Sequence, residues 1–172
     1  DFNGHDHKDL RDKLYNIARH VIDDMGYDDV VWRLWWSRFD QIVDWVIGHE
    51  TEWRKNWDKA YTEGKGSTDI NGFTLSARAD RIDVHDDQIA LIDYKSAGSY
   101  TQSKIKSGEY PQLGLEALIV SDQGFQGVAH TTVSHVSYWI MKGKAEINSV
   151  IAVEEDLDDL ITCTRQQMVD LI

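Results

Sequence analysis

Leu10, Leu14, Ile17 and Val21 recur three or four residues apart, and Gly26 closes the run. That period predicts an amphipathic helix over about 6–25. A second helical pattern covers about 29–61. Trp32, Trp35, Trp36, Phe39, Ile42, Val43 and Val46 form a broad apolar stripe, and Trp53 and Trp57 extend it. Aromatic residues at this spacing are expected in a core rather than on a base-stacking platform. Glu50 and Arg54, four apart, are expected to pair on the surface. Glu63-Gly64-Lys65-Gly66-Ser67 reads as a loop.

From Phe73 the period changes to two. Phe73, Leu75, Ala77 and Ala79 alternate with Thr74, Ser76, Arg78 and Asp80, as in a half-buried strand. Ile82 and Val84 continue on a next strand, and the polar cluster His85-Asp86-Asp87-Gln88 signals a turn. Ile89 to Ile92 are apolar on both faces, which predicts a central strand. Ser96 to Gly108 is polar, with Lys104 and Lys106 in it. Pro111 suits the first turn of a helix reaching about Val120. Strand patterns follow over 130–141 and 145–153, and an amphipathic helix over 154–172. The order α-α-β-β-β-α-β-β-α predicts an α/β or α+β fold, with helices flanking a mixed central sheet. A length of 172 residues suits one domain over 1–172, with a helical part at about 6–61 and a sheet-and-helix core at about 70–172.

The central strand carries Asp93 and Lys95, two apart and so on one face. Burying an unpaired ion costs on the order of several kcal/mol, which a divalent cation offsets for a carboxylate. If the hairpin loop is Asp87-Gln88-Ile89, Asp83 lies directly opposite Asp93. Their Cβ atoms are then roughly 4.5–5.5 Å apart, close enough to share one hard cation. Bland alternatives stand beside this. Asp83 can pair with Arg81 or Arg78, Asp93 and Lys95 can form a same-face ion pair, and Gln112 can be a polar residue opening a helix.

Net charge is −12, which argues against holding nucleic acid by bulk electrostatics. Any action on nucleic acid by a chain of this composition must rely on a bound cation, local basic residues or a partner that carries the DNA. No apolar run is long enough for a bilayer, and membrane attachment is not expected. A single cysteine, Cys163, excludes an internal disulfide and suits a reducing, cytoplasmic setting. The chain opens on Asp and reads as a segment of a longer protein.

An acidic residue, a hairpin, D-x-K and then a helix opening with Gln resembles the PD-(D/E)XK nuclease superfamily, whose core is restriction-endonuclease-like. The segments ADRID, IDYKSAG and SGEYPQLGLEALIV look more narrowly like the C-terminal nuclease domain of alphaproteobacterial AddB subunits. WWSRFDQIVDWVIGHETEWR, SYWIMKGK and the opening DFNGHDHKDL agree with that. The resemblance implies a Mg2+-dependent DNA exonuclease, with Mn2+ as a substitute, working beside an AddA-type helicase subunit on single strands or duplex ends in break repair. It implies Asp83 and Asp93 as metal ligands, joined by the carbonyl of Tyr94 and by His7. Lys95 is implied as the catalytic lysine, and Gln112 as the residue positioning water or backbone. The helix motif Q-x-x-x-Y ends here in Glu116, which departs from the tyrosine and carries no assigned chemistry. The iron–sulfur cluster of many AddB relatives needs four cysteines and cannot form within this chain. The competing reading is a catalytically silent scaffold or DNA-end-binding domain of the same fold.

Overall fold

A computed structural model describes residues 6–26, 29–128, 132–144 and 148–172, without the side chains of 29, 31, 32 and 34, so the Trp32 side chain lies outside the described residues. The chain divides into two compact units, one of residues 1–56 and 141–149, the other of 57–140 and 150–172.

The first unit holds α1 (His7–Asp24) and α2 (Asp29–Trp53). Leu10 packs with Val43 and Ile47, and Leu14, Tyr15 and Phe39 close around them. Arg11 bonds Asp40 and Asp44 across the helix pair. The apolar stripes are only partly buried. Ile17, Val21, Trp35 and Trp36 are exposed, because a helix pair buries one stripe on each partner. Glu50 and Arg54 do pair, at 2.7 Å, but as a largely buried pair rather than a surface one.

The second unit is built on a sheet ordered β1 (Lys59–Ile70), β2 (Phe73–His85), β3 (Gln88–Lys95), β4 (Thr132–Ile140) and β5 (Ser149–Val153). β1, β2 and β3 are antiparallel, and β4 runs parallel to β3. A parallel pair needs a crossover, here α3 (Gln102–Lys106) and α4 (Gln112–Asp122). The last helix is α5 (Leu157–Leu171). The core of this unit includes Ile82, Ile89, Leu91, Leu113, Ala117, Ile119, Val136 and Tyr138. β3 is central and buried, as its two-sided apolar pattern predicts.

Several expectations fail here. First, the expected loop at Glu63–Ser67 is the middle of β1, and the residues from Lys59 to Tyr61 are strand rather than helix. The glycines that read as a loop are packing glycines. A Cβ on Gly66 would lie 2.8 Å from both Ile119 Cγ2 and Phe125 Cδ1. Residues 73–85 form one strand, not two.

Second, the β2–β3 turn is two residues long. His85 pairs with Gln88, and Asp86 adopts a left-handed φ of 49°, which Asp tolerates better than most residues. Asp83 therefore faces Ala90, not Asp93. Three positions separate Ala90 from Asp93, so the Asp83 and Asp93 side chains leave opposite faces of the sheet. The pairing of β2 with β3 ends at Arg81 and Ile92, and just beyond it the Tyr94 amide donates to Asp80.

A matched irregularity marks the same place. The register of β1 with β2 omits the pair Glu63–Asp80, and Glu63 has φ 57°. Before it Leu75, Ala77 and Ala79 join the core, and after it Ile82 and Val84 do. The inward set thus shifts from odd to even across Asp80. Such irregularities redirect a side chain.

Candidate active site

α4 lies on the sheet so that its first residue, Gln112, reaches the C-terminal end of β3, where Asp93 and Lys95 emerge. Lys95 Nζ is 2.5 Å from Asp93 Oδ2 and donates to Gln112 Oε1 at 2.9 Å. Gln112 Nε2 donates to Asp93 Oδ1 and, at 3.2 Å, to Glu116 Oε1. These contacts fix the orientation of the amide: its NH2 faces two carboxylates and its oxygen faces the ammonium. Asp80, half-buried, accepts the Tyr94 amide N–H at 3.1 Å. It stands close enough for its charge to raise the pKa of both Asp93 and Glu116. Lys95 also lies over the Tyr138 ring, 5.3 Å from the centroid.

Of the residues expected at the site, Asp93, Lys95 and Gln112 are brought together. Asp83 is not among them. It is fully buried on the other face, where its oxygens accept from Arg81 Nε at 3.0 Å and Nη2 at 2.6 Å. Arg81 also donates to Tyr94 Oη and stacks over Trp139. This is the pairing with Arg81 that the bland alternative anticipated. The Tyr94 side chain belongs to that far face, while its amide serves Asp80. His7 is exposed at the start of α1, in the first unit.

Two residues at the site went unassigned in the sequence, Asp80 and Glu116. Glu116 is 2% exposed. Its pKa is pushed up to about 7, chiefly by burial and further by the charges of Asp93 and Asp80, against the lowering effect of the Gln112 hydrogen bond. Burial also raises Asp93, with Lys95 acting against it. A signal for Glu116 was present: four residues after Gln112, it shares that residue's helix face, and it interrupts an otherwise apolar run.

The raised Glu116 pKa sets a pH dependence. The unfolded chain ionises this group near 4.5, while the folded chain holds its proton to about 7. Its contribution to stability is complete below pH 4.5 and is lost as pH rises through 7, a change of about 3 kcal/mol for that shift. Glu116→Gln should therefore unfold at higher denaturant than the wild type at pH 8 in chelator, with the advantage vanishing at pH 4. Parallel pH profiles for the two proteins would rule this out.

A sequence model of the PD-(D/E)XK nuclease superfamily matches residues 3–171. The chain belongs to this superfamily. Its mixed sheet, flanking helices and D-x-K strand accord with the PD-(D/E)XK fold, and nuclease chemistry is what the superfamily brings. Among curated proteins, the chain is 27% identical to an uncharacterized protein of Rickettsia bellii strain RML369-C over 128 residues, 72% of this chain and 15% of the relative. It is 28% identical to the uncharacterized protein RC0550 of Rickettsia conorii over 122 residues, 68% of this chain and 15% of the relative. The matched region thus spans about one-seventh of those relatives' length. A solved structure described as SSO0001 aligns over 94% of this chain and 70% of that one at 14% identity. Its TM-score of 0.38 is too low to bear on the argument.

PD-(D/E)XK sites use a cation held by carboxylates. Among the described residues no three ligand groups are already gathered around one point. What does fit is the donor chemistry. Asp80 and Asp93 are oxygen donors on adjacent strands, and Glu116 Oε2 is a buried oxygen with no hydrogen-bond partner among the described residues. Hard oxygen donors of this kind suit Mg2+ or Mn2+, which need only one or two carboxylates and keep their remaining waters.

Proposed function

We propose that this chain is a Mg2+-dependent deoxyribonuclease domain, an exonuclease acting within an AddAB-type helicase–nuclease on the DNA of double-strand breaks. The observation that carries the reading is the hydrogen-bonded set Asp93, Lys95 and Gln112 at the end of β3, with Asp80 of β2 near enough for its charge to act on Asp93. Two carboxylates, an amine and an amide are the groups that cation-assisted phosphodiester hydrolysis calls for. The AddB assignment rests on the ADRID, IDYKSAG and SGEYPQLGLEALIV segments.

Asp80 and Asp93 would hold the cation, which supplies charge for the scissile phosphate and lowers the pKa of a water. Asp93 is 1% exposed, so its carboxylate is screened from bulk water and interacts strongly with a cation. Lys95, more open than Asp93, holds its ammonium against Asp93 Oδ2 and Gln112 Oε1 and would orient the attacking water or hold a phosphate oxygen. Gln112 fixes Lys95 and Asp93 relative to each other through one amide, which keeps both groups in a single geometry. The acidic surface is compatible with this chemistry when a helicase partner delivers the strand. It also fits a silent scaffold, which the intact set of four residues disfavours.

The purified protein should degrade linear DNA with Mg2+ or Mn2+, and chelator should stop it. Single-stranded and duplex DNA, blocked and open ends, and RNA compared in one assay test substrate and mode. Absence of metal-dependent cleavage on all of them, in the presence of the helicase partner, would support the scaffold instead.

A further inference from the structure

The position that carries tyrosine in the Q-x-x-x-Y helix motif is Glu116 here, and its surroundings are those of a ligand rather than a spacer. It lies among apolar residues of α4, Leu113, Ala117 and Leu118, all fully buried. A buried carboxylate normally has its oxygens satisfied, yet only Oε1 is bonded, to Gln112 Nε2. Oε2 is shielded from water and has no hydrogen-bond partner among the described residues. Gln112 Nε2 touches Glu116 Oε1 and Asp93 Oδ1 at once, so one positively polarised NH2 already bridges these two carboxylates. The charges point the same way. Asp80, Asp93 and Glu116 together carry three negative charges when ionised and Lys95 one positive, leaving two to be matched. A divalent cation matches two.

We infer that Glu116 is a third carboxylate ligand of the cation site. The inference rests on the metal-dependent reading above and extends it. It makes all three acidic ligands residues of the second unit, supplied by β2, β3 and α4.

The test is Mn2+ binding to the purified protein, followed by calorimetry and by free-Mn2+ electron paramagnetic resonance, with Asp80→Asn, Glu116→Gln and Glu116→Ala beside the wild type. Glu116→Gln should bind Mn2+ more weakly by upwards of about 100-fold, beyond the roughly 10–100-fold that loss of a residue bonded to a ligand costs, and it should lose most of the rise in Tm that Mn2+ gives the wild type. Its metal-free Tm at neutral pH should be no lower than wild type, which separates ligand loss from misfolding. Glu116→Ala should show the same weakening. If the wild type and Asp80→Asn differ in Mn2+ affinity while Glu116→Gln matches the wild type, Glu116 is no ligand and the nuclease reading survives. If the wild type binds no Mn2+ at all, both fall together.

Discussion

Asp80→Asn is expected to abolish metal-supported cleavage while leaving the fold intact, and Asp83→Asn is expected to do nearly the reverse. The two aspartates lie three residues apart in ARADRID, and both can be read as the acidic partner of D-x-K. The register separates them. Asp80 lies on the Asp93 side of the sheet, half-exposed, with one hydrogen bond from the Tyr94 amide. Losing its charge removes a repulsion on Asp93 and Glu116, so the metal-free Asp80→Asn protein should melt at or slightly above the wild-type temperature. Its cleavage rate should fall by roughly 10²-fold or more, since a bound cation supplies several kcal/mol at the phosphoryl oxygen.

Asp83 sits in a different environment. Three Arg81 contacts hold a carboxylate with no exposure at all, and the guanidinium itself is 8% exposed. Removing one partner of a buried ion pair costs about 3–5 kcal/mol, a large part of the roughly 5–15 kcal/mol that stabilises a domain. Asp83→Asn should therefore lower the melting temperature by roughly 10 °C. At temperatures where it remains folded, it should bind Mn2+ as the wild type does. Thermal melts in chelator and Mn2+-supported cleavage of linear DNA, run on both variants, decide the matter. A cleavage-dead but thermally normal Asp83→Asn, beside an active Asp80→Asn, would return the ligand role to Asp83.

The same pair shows what could be read from the sequence and what could not. Asp93, Lys95 and Gln112 were legible because each is fixed locally: D-x-K shares a strand face whatever the partner strand does, and Pro111 marks the helix start. The partner carboxylate depended on a hairpin two residues long rather than three, and a one-residue slip in register exchanges every side chain between faces. His85-Asp86-Asp87-Gln88 lacks the Asn-Gly or Asp-Gly pair that would have fixed the loop length. β1 was hidden for a related reason. Gly64 and Gly66 are there to admit Ile82, Ile119 and Phe125 at close range, and close packing leaves the same local trace as a turn. Trp35 and Trp36 looked like core because periodicity reports a stripe without saying how much of it finds a partner.

Lys95→Ala is expected to separate chemistry from metal binding in the direction opposite to the acidic variants. Among the described residues Lys95 is the cation paired with Asp93, at 2.5 Å, and it also anchors the Gln112 oxygen. Removing it takes away whatever orientation or proton transfer it gives the attacking water, a contribution of roughly 10²–10⁴-fold in kcat. It also leaves Asp80, Asp93 and Glu116 with no ammonium opposing their charge, so attraction for a divalent cation rises. Mn2+ should thus bind Lys95→Ala at least as tightly as the wild type, while turnover collapses. Asp80→Asn and Glu116→Gln should lose turnover and metal affinity together. Lys95→Arg keeps the positive charge but spreads it over a planar fork that does not fit a single Gln112 oxygen, and it should recover wild-type metal affinity with little of the rate. Rate constants under saturating Mn2+, measured beside calorimetric affinities, separate the two classes. If Lys95→Ala instead lost metal binding in proportion to rate, the lysine would be holding the carboxylates in place rather than acting on substrate.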